Sequence, residues 1–365
     1  MVTEHYIKSE ILGYLFLALF ITNLLSVSSV FSQVTEEWVA RYNGFVDYYD
    51  GACDIALDNS GNVYVTGGSE IPGNGLDYVT IKYNSEGVEQ WVARYNSFES
   101  STDEAFGIAV DNSGNVYVTG YSYIYKLGTY DDYVTIKYNS EGVEQWVARY
   151  NSPENNSDRA IDIGVDSSGN AYVIGFTSGS APYIDYTTIK YNSEGVEQWV
   201  ARYNGPDNLA DHAMGIAIDS SRNVYVTGYS NDSETDEDYA TVKYNSVGVE
   251  QWVARYNGPG NSADHATGIA IDSTGNVYVS GSSYGAGTNT DYATVKYNSE
   301  GVEQWIARYN GPGNGHDCLI YLGGIVLDSS ENVYVSGYSD GAGTGRDYTT
   351  IKYSQGTSID SWMYY

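Results

Sequence analysis

Short runs rich in β-branched and aromatic residues, each bounded by turn residues, recur along the whole chain after the first thirty residues. In one copy they are 267–271 (TGIAI), 276–280 (NVYVS), 292–297 (YATVKY) and 302–309 (VEQWIARY). Val, Ile, Thr, Tyr and Trp dominate them, and Asn, Asp, Ser and Gly separate them, which predicts four strands, here lettered A to D. The A–B link at 272–276 and the C–D link at 298–301 read as tight Asx/Gly hairpin turns. No long amphipathic helical pattern appears beyond residue 30.

The four-strand pattern is copied. Trp38, Trp91, Trp146, Trp199, Trp252 and Trp305 each open the string W(V/I)ARYN at intervals of 53 or 55 residues. The segments 77–97 and 132–152 are the same 21 residues, DYVTIKYNSEGVEQWVARYNS. Periods of this size mark propellers, solenoids or arrays. Four hairpin-linked antiparallel strands per unit favour a propeller over a parallel β-helix. The expected fold is therefore all-β, a six-bladed β-propeller of four-stranded antiparallel blades. One D-type segment precedes the first A strand, and the last unit has no good D strand after it. The segment 36–43 is thus expected to pair into the last blade and close the ring, removing two free sheet edges. Trp362 in the tail also reads as a decayed D strand, so a truncated array stays open as an alternative.

The unit GIA(I/V)D-S-(S/T)-GNVYVTGYS, followed by DY.T(I/V)KYN.(E/V)G..QW, resembles the SBBP repeat, the seven-bladed-propeller-type repeat of secreted bacterial proteins. The resemblance covers about 36–353 in six copies rather than seven. It implies a propeller and export. It implies no single activity and carries over no catalytic residue.

Composition agrees with a β-rich, turn-rich chain: 39 Tyr and 41 Gly in 365 residues, with 18% charged. The net charge of −30 and pI near 4.1 repel nucleic acid and anionic lipid and attract cations and basic partners. The lead at 1–32 reads as an export signal. Lys8 precedes an apolar run at 11–25, and Val30 and Ser32 are small residues where a signal peptidase needs them. Cleavage is expected after Ser32, leaving a propeller at 33–353 and a tail at 354–365. An uncleaved anchor through 11–31 is the competing reading, weakened by Asn23, Ser26, Ser28 and Ser29. The expected location is extracellular, at the cell surface or in the envelope, with no membrane insertion after cleavage and a monomeric propeller.

Charges repeated in every unit read as scaffold. Lys82, Lys137, Lys190, Lys243, Lys296 and Lys352 fall on strand C, and Arg41, Arg94, Arg149, Arg202, Arg255 and Arg308 on strand D. Contacts with carboxylates such as Asp77, Glu86 and Glu89 are expected. The A–B and C–D turns lie on one face and barely vary, whereas the B–C and D–A loops lie on the other and vary widely. Varied loops on a rigid scaffold are where binding residues concentrate, so the B–C/D–A face is the expected ligand face.

On that face Asp50, Asp103, Asp158, Asp211, Asp264 and Asp317 each precede strand A, five of them in Asp-x-Ala. Two readings are open: six carboxylates ringing the channel mouth, holding a ligand or a divalent cation such as calcium, or six caps of their own turns. The following residue breaks the symmetry, with Glu104, Arg159, His212 and His265 the candidate ligand contacts. Asp211, His212, Asp264, His265 and His316 are the candidate metal set. Cys53 and Cys318 would either pair across a closed seam or stay as two unpaired thiols. No motif for nucleophilic catalysis occurs. The leading functional expectation is a non-catalytic secreted or cell-surface module binding a protein or glycan, with no cofactor. A polysaccharide hydrolase or lyase with an acidic funnel, and a structural repeat of an envelope assembly, are the alternatives.

Overall fold

The turns fix the strand order. In each A–B turn an Asp folds back on its own loop: Asp272 Oδ1 accepts from the N–H of Thr274 and Asn276, and Oδ2 from Asn276 Nδ2 and the Tyr278 hydroxyl. Asp58, Asp111, Asp166, Asp219 and Asp328 make the same four contacts. In each C–D turn an Asn does similar work, as Asn298 Oδ1 does for the N–H of Glu300 and Val302. These local bonds compete with any helix and leave a hairpin as the satisfied state.

The computed structural model describes residues 36–45, 48–73, 75–97, 101–124, 130–179, 183–318 and 324–354. The expected signal at 1–32 and the tail at 355–365 lie outside them. Residues 1–39 form a separate unit, of which 36–39 carry no strand. The second unit, from Ala40, holds six antiparallel sheets. Blade one is β1 (Asp50–Leu57), β2 (Val63–Ile71), β3 (Gly75–Tyr83) and β4 (Glu89–Tyr95). Blade two is β5 (Ser101–Val110), β6 (Val116–Ile124), β7 (Asp132–Tyr138) and β8 (Glu144–Tyr150). Blade three is β9 (Asp158–Val165), β10 (Ala171–Ser178), β11 (Ile184–Tyr191) and β12 (Glu197–Tyr203). Blade four is β13 (Asp211–Ile218), β14 (Val224–Asp232), β15 (Asp236–Tyr244) and β16 (Glu250–Tyr256). Blade five is β17 (Asp264–Ile271), β18 (Val277–Tyr284), β19 (Thr290–Tyr297) and β20 (Glu303–Tyr309). In the sixth sheet the A position is split into β21 (Asp317–Cys318) and β22 (Ile325–Leu327), followed by β23 (Val333–Gly341) and β24 (Gly345–Tyr353).

Five of the six core clusters join strands B and C of one blade to strand D of the blade before it. Val116, Val118, Val134 and Ile136 of blade two pack on Trp91, Ala93 and Tyr95 of blade one, the face that alternation along W-x-A-x-Y presents. The repeated Lys and Trp stitch the same seam. Lys82 Nζ lies 5.1 Å over the Tyr64 ring and donates to the Ser140 carbonyl of the next blade, and Trp91 Nε1 donates to that carbonyl as well. Three of the repeated Arg bind C-strand carboxylates, with Arg149–Asp132 at 2.9 Å, Arg255–Asp238 at 3.1 Å and Arg308–Asp291 at 2.9 Å, whereas Arg202 binds Glu154 of a D–A loop at 3.3 Å. Tyr78, Tyr186, Tyr239 and Tyr292 are at most 1% exposed, and each hydroxyl donates to a carbonyl of the following blade.

One expectation is not met. Residues 36–43 form no strand, and β24 pairs with β23 alone among the described residues. Tyr348, the counterpart of those buried tyrosines, is 94% exposed. The reason is where the apolar face of this segment goes. Ala40 and Tyr42 pack on Val63, Val79, Ile81 and Tyr83 of blade one, and Arg94 bonds the Tyr42 hydroxyl and covers its ring. Side-chain burial on blade one is satisfied while the backbone ladder to β24 is not formed.

Candidate binding face

The six repeated Asp residues resolve in favour of turn capping. Alternation along strand A turns each Asp beneath its own D–A loop. Gly44 N–H donates to Asp50, Ser97 to Asp103, Ser152 to Asp158, Gly205 to Asp211, Gly258 to Asp264 and Gly311 to Asp317. Asp103, Asp158, Asp211, Asp264 and Asp317 have no exposed surface, so the channel-mouth ring of carboxylates is corrected to five buried loop clamps and a half-buried one at Asp50. Burial pushes the carboxyls of Asp158 and Asp211 up to about 6.

The residue after each clamp points the other way. Glu104 stands opposite Tyr121, Arg159 opposite Phe176, His212 opposite Tyr229 and His265 opposite Ser282 across the A–B ladders. These side chains then touch across the seams. The Arg159 guanidinium carbon lies 4.5 Å over the Tyr121 ring, which stacks on Phe106 at 5.8 Å. Phe176 meets His212 at 5.4 Å, His212 stacks on Tyr229 at 4.7 Å, and Tyr229 meets His265 at 4.4 Å. Acids complete the belt. Tyr121 donates to Glu104 at 2.9 Å, Arg159 Nε binds Asp131 at 2.6 Å, and His265 Nε2 binds Glu237. That bond to His265 is the main cause that lowers the Glu237 carboxyl, while burial lowers the His212 imidazole. Asp131 and Glu237 occupy the same repeat position, one residue before Asp132 and Asp238, and neither is singled out by the repeat. Thr102, Tyr121, Tyr123, Tyr130, Asp131, Ser157 and Arg159 line a pocket of about 350 Å³ between blades two and three.

The expected metal set is not brought together. Asp211 and Asp264 sit under their loops, His212 and His265 face the belt, and His316 Nδ1 lies 3.0 Å from Thr290 Oγ1. Among the described residues no three His, Cys, Asp or Glu side chains converge. Of the two cysteine readings the disulfide is not met: Cys53 and Cys318 are both free thiols. Cys318 is turned toward blade five, with Sγ 3.2 Å from Thr290 Oγ1, and burial raises the Cys53 thiol.

The centre of the second unit holds two acids that the sequence reading passed over. Asp54, Phe106, Ile161, Asp162, Ile216, Thr267 and Ile325, drawn from all six innermost strand positions, line one cavity of about 160 Å³. A bulge after each Asp-x-Ala aims the following residues inward. Gly107, Gly215, Gly268 and Gly324 take this place in four blades, and Asp54 and Asp162 take it in the other two. That departure from the repeat was the available signal. Each Asp staples two blades. Asp54 accepts from the N–H of Ile55 and Ile108, and Asp162 from Ile163 and Ile216. Burial, with the Asp54 charge nearby, pushes Asp162 up to about 7. The folded chain therefore holds a proton that the unfolded chain, titrating near the ordinary 3.8, has already lost. Stability from this group is full below pH about 4 and is lost as pH rises toward 7. Asp162→Gly, which restores the commoner residue, should gain on the parent chain as pH rises from about 4 to about 7. Denaturant midpoints of both chains across that range test it; a constant difference would remove the buried-proton account.

The repeat itself decides the family. Three units, at 90–127, 198–233 and 251–287, match the model of the SBBP beta-propeller repeat. The chain therefore carries SBBP beta-propeller repeats in these three units. No curated protein matches it. Several solved structures are similar to this SBBP chain at low identity. A NanB sialidase variant from Streptococcus pneumoniae is 11% identical, with TM-score 0.50, over 79% of this chain and 65% of that one. A protein of unknown function from Dyadobacter fermentans DSM 18053 is 9% identical, with TM-score 0.48, over 84% and 94%. The polysaccharide lyase Uly1 is 12% identical, with TM-score 0.48, over 91% and 86%. The likeness to the sialidase bears on the SBBP chain's fold alone.

Proposed function

We propose that this SBBP propeller is a non-catalytic binding module, secreted or held at the cell surface, whose ligand rests on the B–C/D–A face. One observation carries the reading: the repeat-breaking residues Glu104, Arg159, His212 and His265 all join two neighbouring runs of aromatic and charged contacts on that face. The opposite face repeats its Asp and Asn turns with little change. A hydrolase or lyase acting through Asp54 and Asp162 is the second reading, favoured by two acids in one cavity. It is the weaker, because about 160 Å³ falls below the roughly 300–1,000 Å³ of ligand pockets, and each acid already accepts two backbone N–H groups. The test presents the immobilised full chain with a panel of oligosaccharides and purified extracellular proteins. Combined Glu104→Gln, Arg159→Ala, His212→Ala and His265→Ala should abolish the binding seen, and Glu141→Gln, Glu194→Gln and Glu300→Gln on the opposite face should leave it. New reducing ends or unsaturated products released from a polysaccharide would overturn the non-catalytic reading.

We also infer that the ring closes through Ala40–Asn43 on the free edge of β24. The register follows from blade five, where Tyr292, Ala293 and Thr294 face Tyr309, Arg308 and Ala307. Tyr348, Thr349 and Thr350 would face Tyr42, Arg41 and Ala40. Arg41 would then meet Asp347 as Arg308 meets Asp291. The bare edge and the exposed Tyr348 support this, since both match what strand D covers in the other blades.

A further inference from the structure

We propose that the pocket between blades two and three binds a neutral sugar, an assignment that rests on the binding-module reading above. Its floor is a fixed guanidinium. The Arg159 guanidinium carbon lies 4.5 Å over the Tyr121 ring, and that ring also stacks on Phe106. Arg159 Nε is tied to Asp131 Oδ2, which also accepts from Ser157 Oγ at 2.9 Å. Nη1 and Nη2 of Arg159 and Oδ1 of Asp131 make no hydrogen bond among the described residues. A rigid two-pronged donor therefore stands beside a free acceptor, with little side-chain freedom left to lose on binding.

That pairing selects the ligand class. A hydroxyl group donates and accepts at once, so neighbouring sugar hydroxyls satisfy both partners. A carboxylate would suit the Nη prongs but would face Asp131 and Glu104 within a chain of net charge −30. At the rim, Tyr130 is 54% exposed and offers a ring face for the C–H side of a sugar. The volume of about 350 Å³ lies at the small end of the roughly 300–1,000 Å³ ligand-pocket range, which suits a terminal sugar rather than a long chain. The same scaffold positions recur as Tyr229, Glu237 and His265 in the seam between blades four and five, where His265 replaces the guanidinium fork.

The test uses the full chain and saturation-transfer NMR with the methyl glycosides of glucose, galactose, mannose and N-acetylglucosamine, and with sodium glucuronate. At least one neutral glycoside should bind. Arg159→Lys, which keeps the charge beside Asp131 and removes the fork, should weaken it by about tenfold. Tyr130→Ala should weaken it by about fivefold, and Glu300→Gln on the opposite face should leave it unchanged. Near-UV circular dichroism checks that each variant is folded. Glucuronate binding as tightly as the neutral sugars overturns the ligand class. Sugar binding lost in His265→Ala but kept in Arg159→Lys and Tyr130→Ala overturns the pocket while the face remains. No glycoside binding overturns the inference, and the binding-module reading then stands or falls on its own protein and oligosaccharide panel.

Discussion

Gly228→Ala should destabilise the chain by about 3 kcal/mol or more, an overpacking cost at the upper end of the usual range. A Cβ at Gly228 would lie 1.9 Å from the His212 carbonyl oxygen and 2.8 Å from the Tyr186 hydroxyl. Neither neighbour can yield cheaply. The carbonyl belongs to the A–B ladder of blade four, and the hydroxyl is held by the Ala240 carbonyl. Three elements from two blades thus meet where no side chain fits, and Gly120, Gly175 and Gly281 repeat the arrangement with Glu104, Arg159 and His265. Because the crowded carbonyl is that of a belt residue, the same change should also displace His212 from Tyr229. Gly179→Ala is the control, since the nearest atom to a Cβ there is 3.7 Å away, and its cost should stay within about 1 kcal/mol. Urea midpoints of the three chains decide the matter. Equal midpoints for Gly228→Ala and the parent would mean that the blade relaxes around an added methyl group.

Tyr348→Ala reads ring closure directly. Tyr292 is 1% exposed and donates to the Tyr338 carbonyl at 3.0 Å, so Tyr292→Ala should cost about 3–5 kcal/mol, as for other large buried aromatics. With Tyr348 at 94% exposure, an open seam makes Tyr348→Ala nearly neutral, within about 0.5 kcal/mol. Closure through Ala40–Asn43 buries that ring against blade one, and the expected cost then approaches that of Tyr292→Ala. The surroundings of Gly67 give the structural side of the comparison. Gly120, Gly175, Gly228 and Gly281 each have a tyrosine hydroxyl of the preceding blade within 2.8 Å of a built Cβ, whereas the three nearest atoms at Gly67 belong to Gly51 and Ala52. A near-zero cost for Tyr348→Ala would reject closure and leave an array with one open seam.

The sequence by itself determined the local design. Strand length, hairpin turns and the inward face of W-x-A-x-Y all follow from neighbours a few residues apart, and copying the unit made the pattern unmistakable. It also named the belt residues, because Glu104, Arg159, His212 and His265 depart from a repeat that is otherwise kept. Only the tertiary structure decided which way the Asp-x-Ala residues face, since capping and lining a channel use the same residue types. It alone revealed the two cavity acids, because a bulge, which alternation does not register, aims Asp54 and Asp162 inward. It alone joined Asp131 to Arg159 and Glu237 to His265, pairs that lie 28 residues apart in the chain and meet only where one blade packs on the next. Contacts across seams depend on how sheets stack, and that geometry is a sum over many buried side chains rather than a property of any short segment.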